Sequence, residues 1–168
     1  VSAPGEGATF EIYFPRAARE ALAPVPAAAV REEPTPFTGR ETVLVVEDED
    51  MVREMVCEAL RLGGYEVLQA SNGEEALSLC GRHPGEIELM LTDLVMPRMN
   101  GIELARRLAP SRPRMRIIYM SGYSEEAVGQ FGRMEDGSAF LNKPVTPRSL
   151  SRKVREILAA PPIGPPAG

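Results

Sequence analysis

Short apolar runs that end in polar residues alternate with amphipathic segments between residues 41 and 160. The first run, in ETVLVVEDED at residues 41–50, passes directly from four apolar residues into four acids. Short continuous apolar runs are typical of strands that are buried on both faces of a parallel sheet. The alternation of such strands with helices therefore predicts an α/β domain in which helices cover both faces of the sheet.

Five strands and five helices are predicted. The strands are VLVV, YEVLQA, IELMLTD, MRIIYMS and AFLN, and the segment SEEAVGQF forms the fourth helix. Residues with short, oxygen-bearing side chains precede three of the other helices, and such side chains satisfy the first N–H groups of a helix. We therefore expect Asp50, Asn72 and Thr146 to be capping residues, and a Gly-Gly pair to end the first helix.

The flanking segments have a different composition. Residues 17–40 are rich in Ala and Pro and are interpreted as a linker, and residues 161–168 as a disordered tail. The chain begins with Val, so it is expected to be a piece of a longer protein. Because the tail leaves no room for a DNA-binding domain, we expect another protein to read the signal.

Charge and composition narrow the range of partners. A net charge of −5 argues against nucleic acid, because domains that bind it usually present a basic face. No apolar run approaches the roughly 20 residues that a membrane-spanning helix needs, so no direct membrane contact is expected. Cys57 and Cys80 form no CxxC pair and are interpreted as reduced thiols of a cytoplasmic protein.

Polar side chains of complementary chemistry follow the predicted strands. They are Glu47 and Asp48 after the first strand, Asp93 after the third, Ser121 after the fourth and Lys143 after the fifth. The carboxyl ends of parallel strands meet at one edge of the sheet, where the ligands of α/β proteins bind. Three carboxylates need a hard cation such as Mg²⁺ to coexist, and a carboxylate can be a nucleophile. The pattern favours phosphoryl transfer to a carboxylate.

Four segments together resemble the signature of response-regulator receiver domains. They are VLVVEDED, LMLTDLVMPRMNG, IIYMSGY and FLNKP, and the resemblance covers residues 41–160. It implies a doubly wound, flavodoxin-like α/β fold whose five parallel strands have the order 2-1-3-4-5. It also implies that the domain takes a phosphoryl group from a histidine kinase or a histidine phosphotransfer protein.

The resemblance assigns a role to each residue at the strand ends. Asp93 would be the phosphoacceptor. Glu47, Asp48 and Asp93 would hold Mg²⁺ together with the backbone carbonyl of Val95, with Asp48 the more direct ligand of the acidic pair.

Two further residues would bind the phosphoryl group, and two would complete the family pattern. Ser121 would bond the phosphoryl group and Lys143 would pair with it. Phe140 matches an aromatic switch position that is more commonly Tyr, so an inward ring would make no hydroxyl hydrogen bond. Pro144 resembles a cis-proline of the family.

The first residues carry a second resemblance. The segment GEGATFEIYFPR, residues 5–16, is similar to the closing strand of the ATP-binding domain of sensor histidine kinases, with Ala8 where Thr is usual. Residues 1–16 would then be the remnant of a kinase domain, and the parent protein a hybrid histidine kinase with a C-terminal receiver. The boxes that bind ATP are missing from the sequence, so no kinase activity is expected of this piece. A plain amphipathic strand remains the alternative reading.

Other functions fit the sequence less well than the receiver does. A phosphohydrolase would need a second acid two residues after the nucleophile, where Val95 stands, and EDED would repel the phosphate of a flavin. A degenerate receiver that only docks is the stronger rival.

Val95 and Tyr123 would shield the phosphoryl group from water, which predicts slow autodephosphorylation. A monomer or weak dimer is expected.

The remaining candidates are interpreted as structural. His83 is expected to be a solvated loop residue, and so are Arg112, Arg114 and Arg116. Five methionines are interpreted as packing residues of the core or its edge: Met90, Met96, Met99, Met115 and Met120.

Overall fold

The computed structural model describes residues 2–3, 7–8, 39–122 and 138–160. The chain divides into two units, Val1–Thr35 and Pro36–Gly168. In the first unit, the strands Ser2–Ala3 and Gly7–Ala8 pair in an antiparallel manner. The rest of the predicted kinase strand, most of the linker, the segment SEEAVGQF, Tyr123 and the tail lie outside the described residues.

Five parallel strands form one sheet in the second unit. They are β1 (Thr42–Val46), β2 (Glu66–Ala70), β3 (Leu89–Asp93), β4 (Arg116–Ser121) and β5 (Ala139–Asn142). Their order is β2-β1-β3-β4-β5, which confirms the expected doubly wound, flavodoxin-like arrangement. Strand β1 is central, and residues 43–46 are completely buried, as an uninterrupted apolar run predicts.

Four helices are described. They are α1 (Asp50–Leu62), α2 (Gly73–Arg82), α3 (Gly101–Leu108) and the C-terminal helix (Pro147–Ala159). The side chains of Asn72 and Thr146 accept hydrogen bonds from the N–H groups three residues later, which confirms both predicted caps. Of these helices, none has the length and apolar character that crossing a membrane requires.

The start of α1 differs from the prediction. Glu49, not Asp50, occupies the N-cap position, and its side chain makes no capping hydrogen bond. Asp50 is the first helical residue, and its carboxylate pairs with the guanidinium of Arg53. The carboxylate is thus engaged by an arginine one turn later. The other end agrees with the prediction, since Gly64 follows α1 with a φ of 84°, a conformation that favours glycine.

Two apolar layers, one on each face of the sheet, form the core. Side chains alternate between the two faces along a strand. Leu44 and Val46 therefore join the layer beneath α2 and α3, whereas Val43 and Val45 join the layer beneath α1 and the C-terminal helix. All five methionines interpreted as packing residues are buried: Met90, Met96, Met99, Met115 and Met120.

Two of the three arginines predicted to be solvated instead hold backbone carbonyls. Arg112 donates to the carbonyl oxygens of Cys80 and His83 at 2.7 and 2.6 Å, at the end of α2. Arg116 donates to the carbonyl oxygens of residues 157 and 160, where the C-terminal helix ends. Cations are favourable at these positions because the last carbonyls of a helix lack partners and carry negative partial charge. Arg114 is exposed, as predicted.

Candidate functional site

The residues predicted from the strand ends come together at the carboxyl edge of the sheet. Glu47 directly follows β1, Asp93 and Ser121 are the last residues of β3 and β4, and Lys143 directly follows β5. The register explains the convergence: Val46 lies opposite Thr92, Asp93 opposite Met120, and Ser121 opposite Asn142. Parallel strands that end level with one another deliver these side chains to one place.

Lys143 connects two of the acids. Its Nζ atom lies 2.8 Å from Oδ2 of Asp93 and 3.0 Å from Oε2 of Glu47. Burial lowers the pKa of Lys143, but the hydrogen bonds to Asp93 and Glu47 and the negative charges of both groups together outweigh burial, so the pKa lies above its ordinary value. The lysine is therefore an ammonium ion that is held against both carboxylates.

The carboxyl group of Glu47 is unusual because it is buried. Only 1% of its surface is exposed. Burial raises its pKa, and the nearby charge of Asp93 raises it further, while the hydrogen bond from Lys143 opposes both effects. Its Oε1 atom also accepts a long hydrogen bond, of 3.4 Å, from the N–H of Glu49. The side chain is thus fixed from two sides at the end of β1.

Three carboxylates form an acid cluster, which we define as Glu47, Asp48 and Asp93. Each contributes one oxygen, and these oxygens all lie within 4.8 Å of one another. Asp48 is exposed, Asp93 is half-buried and Glu47 is buried, so the cluster opens to solvent on one side. One ammonium group cannot neutralise three carboxylates. The surplus negative charge and the all-oxygen donors suit a small divalent cation.

The backbone around Asp93 is closely packed. The hydroxyl of Thr92 donates to the carbonyl oxygen of Asp93 at 3.0 Å. Gly101, the first residue of α3, lies against the same carbonyl, because a Cβ atom at residue 101 would be 2.5 Å from that oxygen. The N–H of Gly101 donates to the carbonyl of Leu94 at 3.1 Å. The sequence pattern did not reveal this contact.

Ser121 and Phe140 lie on neighbouring strands near the same edge. Ser121 is 2% exposed, and its carbonyl accepts a hydrogen bond of 2.8 Å from the N–H of Lys143. Phe140 is half-buried, and its ring centroid lies 5.7 Å from that of Tyr119. It packs against the apolar layer beneath α2 and α3. The peptide bond between Lys143 and Pro144 is cis, as the resemblance implied.

Arg53 is a second residue near the cluster that sequence reasoning missed. Its Nη1 atom donates to the carbonyl oxygen of Glu47 at 2.8 Å, and its other terminal nitrogen pairs with Asp50. A signal was present in the sequence, because an acid and an arginine three residues apart lie on the same side of a helix. The contact with Glu47 depends on the loop between β1 and α1, which the sequence does not specify.

Comparison with known proteins gives a consistent result. Residues 43–155 match the family model of the response regulator receiver domain. The sensor kinase CckA of Brucella abortus is 39% identical over 158 residues, which are 92% of this chain and 17% of that protein. The receiver protein CpdR of the same organism is 33% identical over 118 residues, 70% of this chain and 97% of that protein. The chain thus spans about a sixth of the sensor kinase.

Solved structures agree with these matches. The receiver domain of the hybrid histidine kinase CckA superposes with a TM-score of 0.61 at 35% identity, covering 70% of this chain and 98% of that domain. The chemotaxis protein CheY4 of Vibrio cholerae superposes with a TM-score of 0.65 at 26% identity, covering 71% and 99%. Both likenesses concern the five-stranded unit.

Proposed function

Because this chain belongs to the response regulator receiver domain family, we propose that it accepts a phosphoryl group from a phosphohistidine onto Asp93 in a two-component phosphorelay. One observation carries the proposal: Lys143 Nζ bridges Asp93 and Glu47 at the carboxyl edge of the sheet, at 2.8 and 3.0 Å. This arrangement combines a carboxylate nucleophile, a cation that can hold phosphoryl oxygens and an acidic pair.

The transfer step uses these groups in distinct ways. A carboxylate oxygen of Asp93 forms the new P–O bond while the P–N bond of the phosphohistidine breaks, and the histidine nitrogen leaves with the bonding electrons. Phosphoryl transfer depends mainly on position and on stabilisation of the charged oxygens. Lys143 and the hydroxyl of Ser121 are suited to hold those oxygens, because both groups can donate hydrogen bonds.

The acid cluster fits Mg²⁺ by donor type and charge. Glu47, Asp48 and Asp93 would hold the ion, with the backbone carbonyl of Val95 completing the protein's share. Bound there, Mg²⁺ would supply positive charge that draws phosphoryl oxygens toward Asp93. Glu47 is buried and its pKa is raised by burial, so a cation that keeps it ionised would stabilise the site.

We further propose that phosphorylation changes a protein-binding face through Ser121 and Phe140. The new phosphoryl oxygens would draw the Ser121 hydroxyl toward Asp93, and the Phe140 ring would turn further inward. Phe140 is half-buried, so an inward turn would bury more of its ring. The face would be made by the predicted fourth helix, SEEAVGQF, together with β5 and the C-terminal helix. An NMR spectrum in which the signals of these segments stay unaltered on addition of beryllofluoride and Mg²⁺ would contradict the switch.

The longer protein is proposed to be a hybrid sensor histidine kinase, with residues 1–16 as the end of its ATP-binding domain. The alignment with the CckA sensor kinase supports this, since it spans 92% of the chain and extends beyond the receiver domain itself. The phosphoryl donor would be a histidine kinase or a histidine phosphotransfer protein. Four points stay predictions: the absence of nucleic-acid contact, the absence of membrane contact, a monomeric or weakly dimeric state, and a cytoplasmic location.

The decisive experiment is incubation with acetyl phosphate and Mg²⁺, followed by intact-mass measurement. We expect a phosphoryl mass gain that is lost in Asp93→Asn and in Asp48→Ala. Glu49→Ala is the matched control, because Glu49 is an exposed acid one residue from Asp48. No gain in the unaltered chain would instead favour a receiver that docks without phosphorylation.

A further inference from the structure

Two hydrogen bonds donated by Arg53 close the loop between β1 and α1. The main-chain N–H of Arg53 donates to the carbonyl of Glu49 at 2.9 Å. The side chain of the same residue reaches further back and donates to the carbonyl of Glu47 at 2.8 Å. Glu47 and Asp48, the two acids of the cluster that follow β1, lie within the span that these two bonds enclose. The path of the backbone through Glu47 and Asp48 is therefore tied to the first turn of α1.

The guanidinium of Arg53 is itself held in place. Its side chain is 14% exposed, and its second terminal nitrogen pairs with Asp50, whose side chain is 80% exposed. A planar guanidinium can hold two acceptors at fixed angles, which a lysine ammonium cannot do. The hydrogen bonds described for this group go to a backbone carbonyl and to Asp50, and the carboxylates of the acid cluster receive none of them.

We infer that Arg53 is a positioning residue for the metal-binding acids: by holding the Glu47 carbonyl, it fixes the peptide unit between Glu47 and Asp48 and so the direction of both carboxylates. This inference rests on the proposed function, because it assumes that the acid cluster binds Mg²⁺. Residues that orient the ligands of a metal ion commonly affect its affinity by tenfold or more without touching the ion.

An effect of the Arg53 charge and a positioning role of Arg53 predict opposite changes in Mg²⁺ binding when the residue is replaced. The inference can therefore be tested. If Arg53 acted only through its charge, its removal would strengthen the binding of a divalent cation, because a nearby positive charge would be lost. If Arg53 positions the acids, its removal weakens that binding, because the carboxylates lose their fixed direction. Arg53→Lys separates the two further, since it keeps the charge but loses the planar fork.

The experiment measures Mg²⁺ binding to the unphosphorylated chain by titration calorimetry, with thermal unfolding recorded in parallel. We expect Arg53→Gln to weaken binding about tenfold and Arg53→Lys to weaken it less. Arg61→Gln, an equal change of charge on an exposed residue of the same helix, should leave binding unchanged. The carbonyl ¹³C signal of Glu47 should move in Arg53→Gln even without Mg²⁺, which reports the lost hydrogen bond directly.

The outcomes distinguish this inference from the proposed function. If the unaltered chain binds no Mg²⁺, both are overturned. If it binds Mg²⁺ and Arg53→Gln binds as tightly or more tightly, only the role of Arg53 is overturned. A general loss of folding would weaken Mg²⁺ binding together with a large fall in the unfolding temperature. Arg53→Lys then decides, because a folded Arg53→Lys with unaltered affinity would also overturn the inference.

Discussion

Lys143 Nζ lies 2.8 Å from Oδ2 of Asp93, although fifty residues separate the two in the sequence. Strand β4 lies between the strands that carry them, and neighbouring strands are about 4.8 Å apart. A lysine side chain is long enough to reach across β4, and it also reaches Glu47. The contact therefore depends on the strand order β1-β3-β4-β5. It also means that the charges of Lys143, Asp93 and Glu47 contribute to the free energy of unfolding.

Replacing Lys143 by Met should destabilise the chain in the absence of Mg²⁺. Glu47 and Asp93 would then be two neighbouring carboxylates, one buried and one half-buried, without their ammonium partner. We expect a loss of about 1–3 kcal/mol in the free energy of unfolding at pH 7, less than for a fully buried pair because Lys143 is partly exposed. Urea denaturation measures this loss.

Added Mg²⁺ should restore much of the stability of Lys143→Met, because a divalent cation can take over the compensation of the two carboxylates. Lys153→Met is the control, since Lys153 pairs with Glu156 on the surface and should contribute less than about 1 kcal/mol. Equal losses in the two variants would show that the bridge to Asp93 has no special weight.

Gly101→Ala should destabilise the chain and disturb Asp93, the proposed phosphoacceptor. The added Cβ would lie 2.5 Å from the carbonyl oxygen of Asp93 and 2.9 Å from a methyl carbon of Thr92. Since this oxygen belongs to backbone, relief requires α3 to move away from β3, at a cost of about 1–3 kcal/mol. Urea denaturation gives the cost, and the rate of phosphorylation by acetyl phosphate gives the effect on Asp93.

Gly81→Ala provides the matched control. Residue 81 lies in α2, and a Cβ there would meet nothing within 4 Å. Alanine is favoured over glycine inside a helix, so this variant should be stabilised by about 0.5–1 kcal/mol. If both alanine variants gained stability, the close contact between Gly101 and the Asp93 carbonyl would be wrong.

The sequence allowed the strand ends to be predicted because burial leaves a strong pattern. Short continuous apolar runs indicate buried strands, and the residues directly after parallel strands lie at the carboxyl edge of the sheet. Glu47 and Asp93 were found in this way, and Lys143 was found because it follows the shorter edge strand β5. The caps at Asn72 and Thr146 were predictable because a capping side chain bonds only to the N–H group three residues later.

The features that were missed depend on parts of the chain that are far apart. Arg112 reaches the carbonyl of Cys80, 32 residues earlier, and nothing in the local sequence indicates that target. The requirement for glycine at residue 101 arises from a carbonyl on a different element. These two outcomes require three-dimensional geometry, which periodicity and spacing do not supply. The Asp50 cap was wrong for a local reason: Glu49 occupies the N-cap position, and the Asp50 carboxylate pairs with Arg53 three residues later.

Glu75, which lies near the start of α2, should make the free energy of unfolding depend on pH. Its carboxylate accepts hydrogen bonds of 2.8 Å from the N–H and the hydroxyl of Ser71, and the N–H bond is the main reason that its pKa lies below 4.5. A pKa that is lower in the folded chain stabilises the folded state above the unfolded value, and this stabilisation is lost as pH falls through the folded pKa.

We therefore expect Glu75→Gln to lower the free energy of unfolding by about 0.5–1 kcal/mol at pH 7. The difference from the unaltered chain should shrink as pH falls below 4.5. Urea denaturation at pH 7 and pH 3.5 measures it. Glu74→Gln, at the adjacent exposed position, should show a smaller difference. A difference that grows on acidification would contradict the assigned sign.

If Asp93 is phosphorylated as proposed, Val95 should prolong the life of the aspartyl-phosphate. It lies two residues after Asp93, is 46% exposed, and its N–H donates to Oδ1 of Asp93 at 3.3 Å. An apolar side chain beside the proposed acceptor offers no group that could orient an attacking water. Val95→Asn introduces an amide that can do so. We expect aspartyl-phosphate to decay about tenfold faster in this variant, which corresponds to about 1.4 kcal/mol of activation free energy. Val95→Ile keeps the side chain apolar and should decay like the unaltered chain. The decay is followed by intact mass after acetyl phosphate has been removed. Equal decay in all three chains would show that residue 95 does not control access of water to the phosphoryl group.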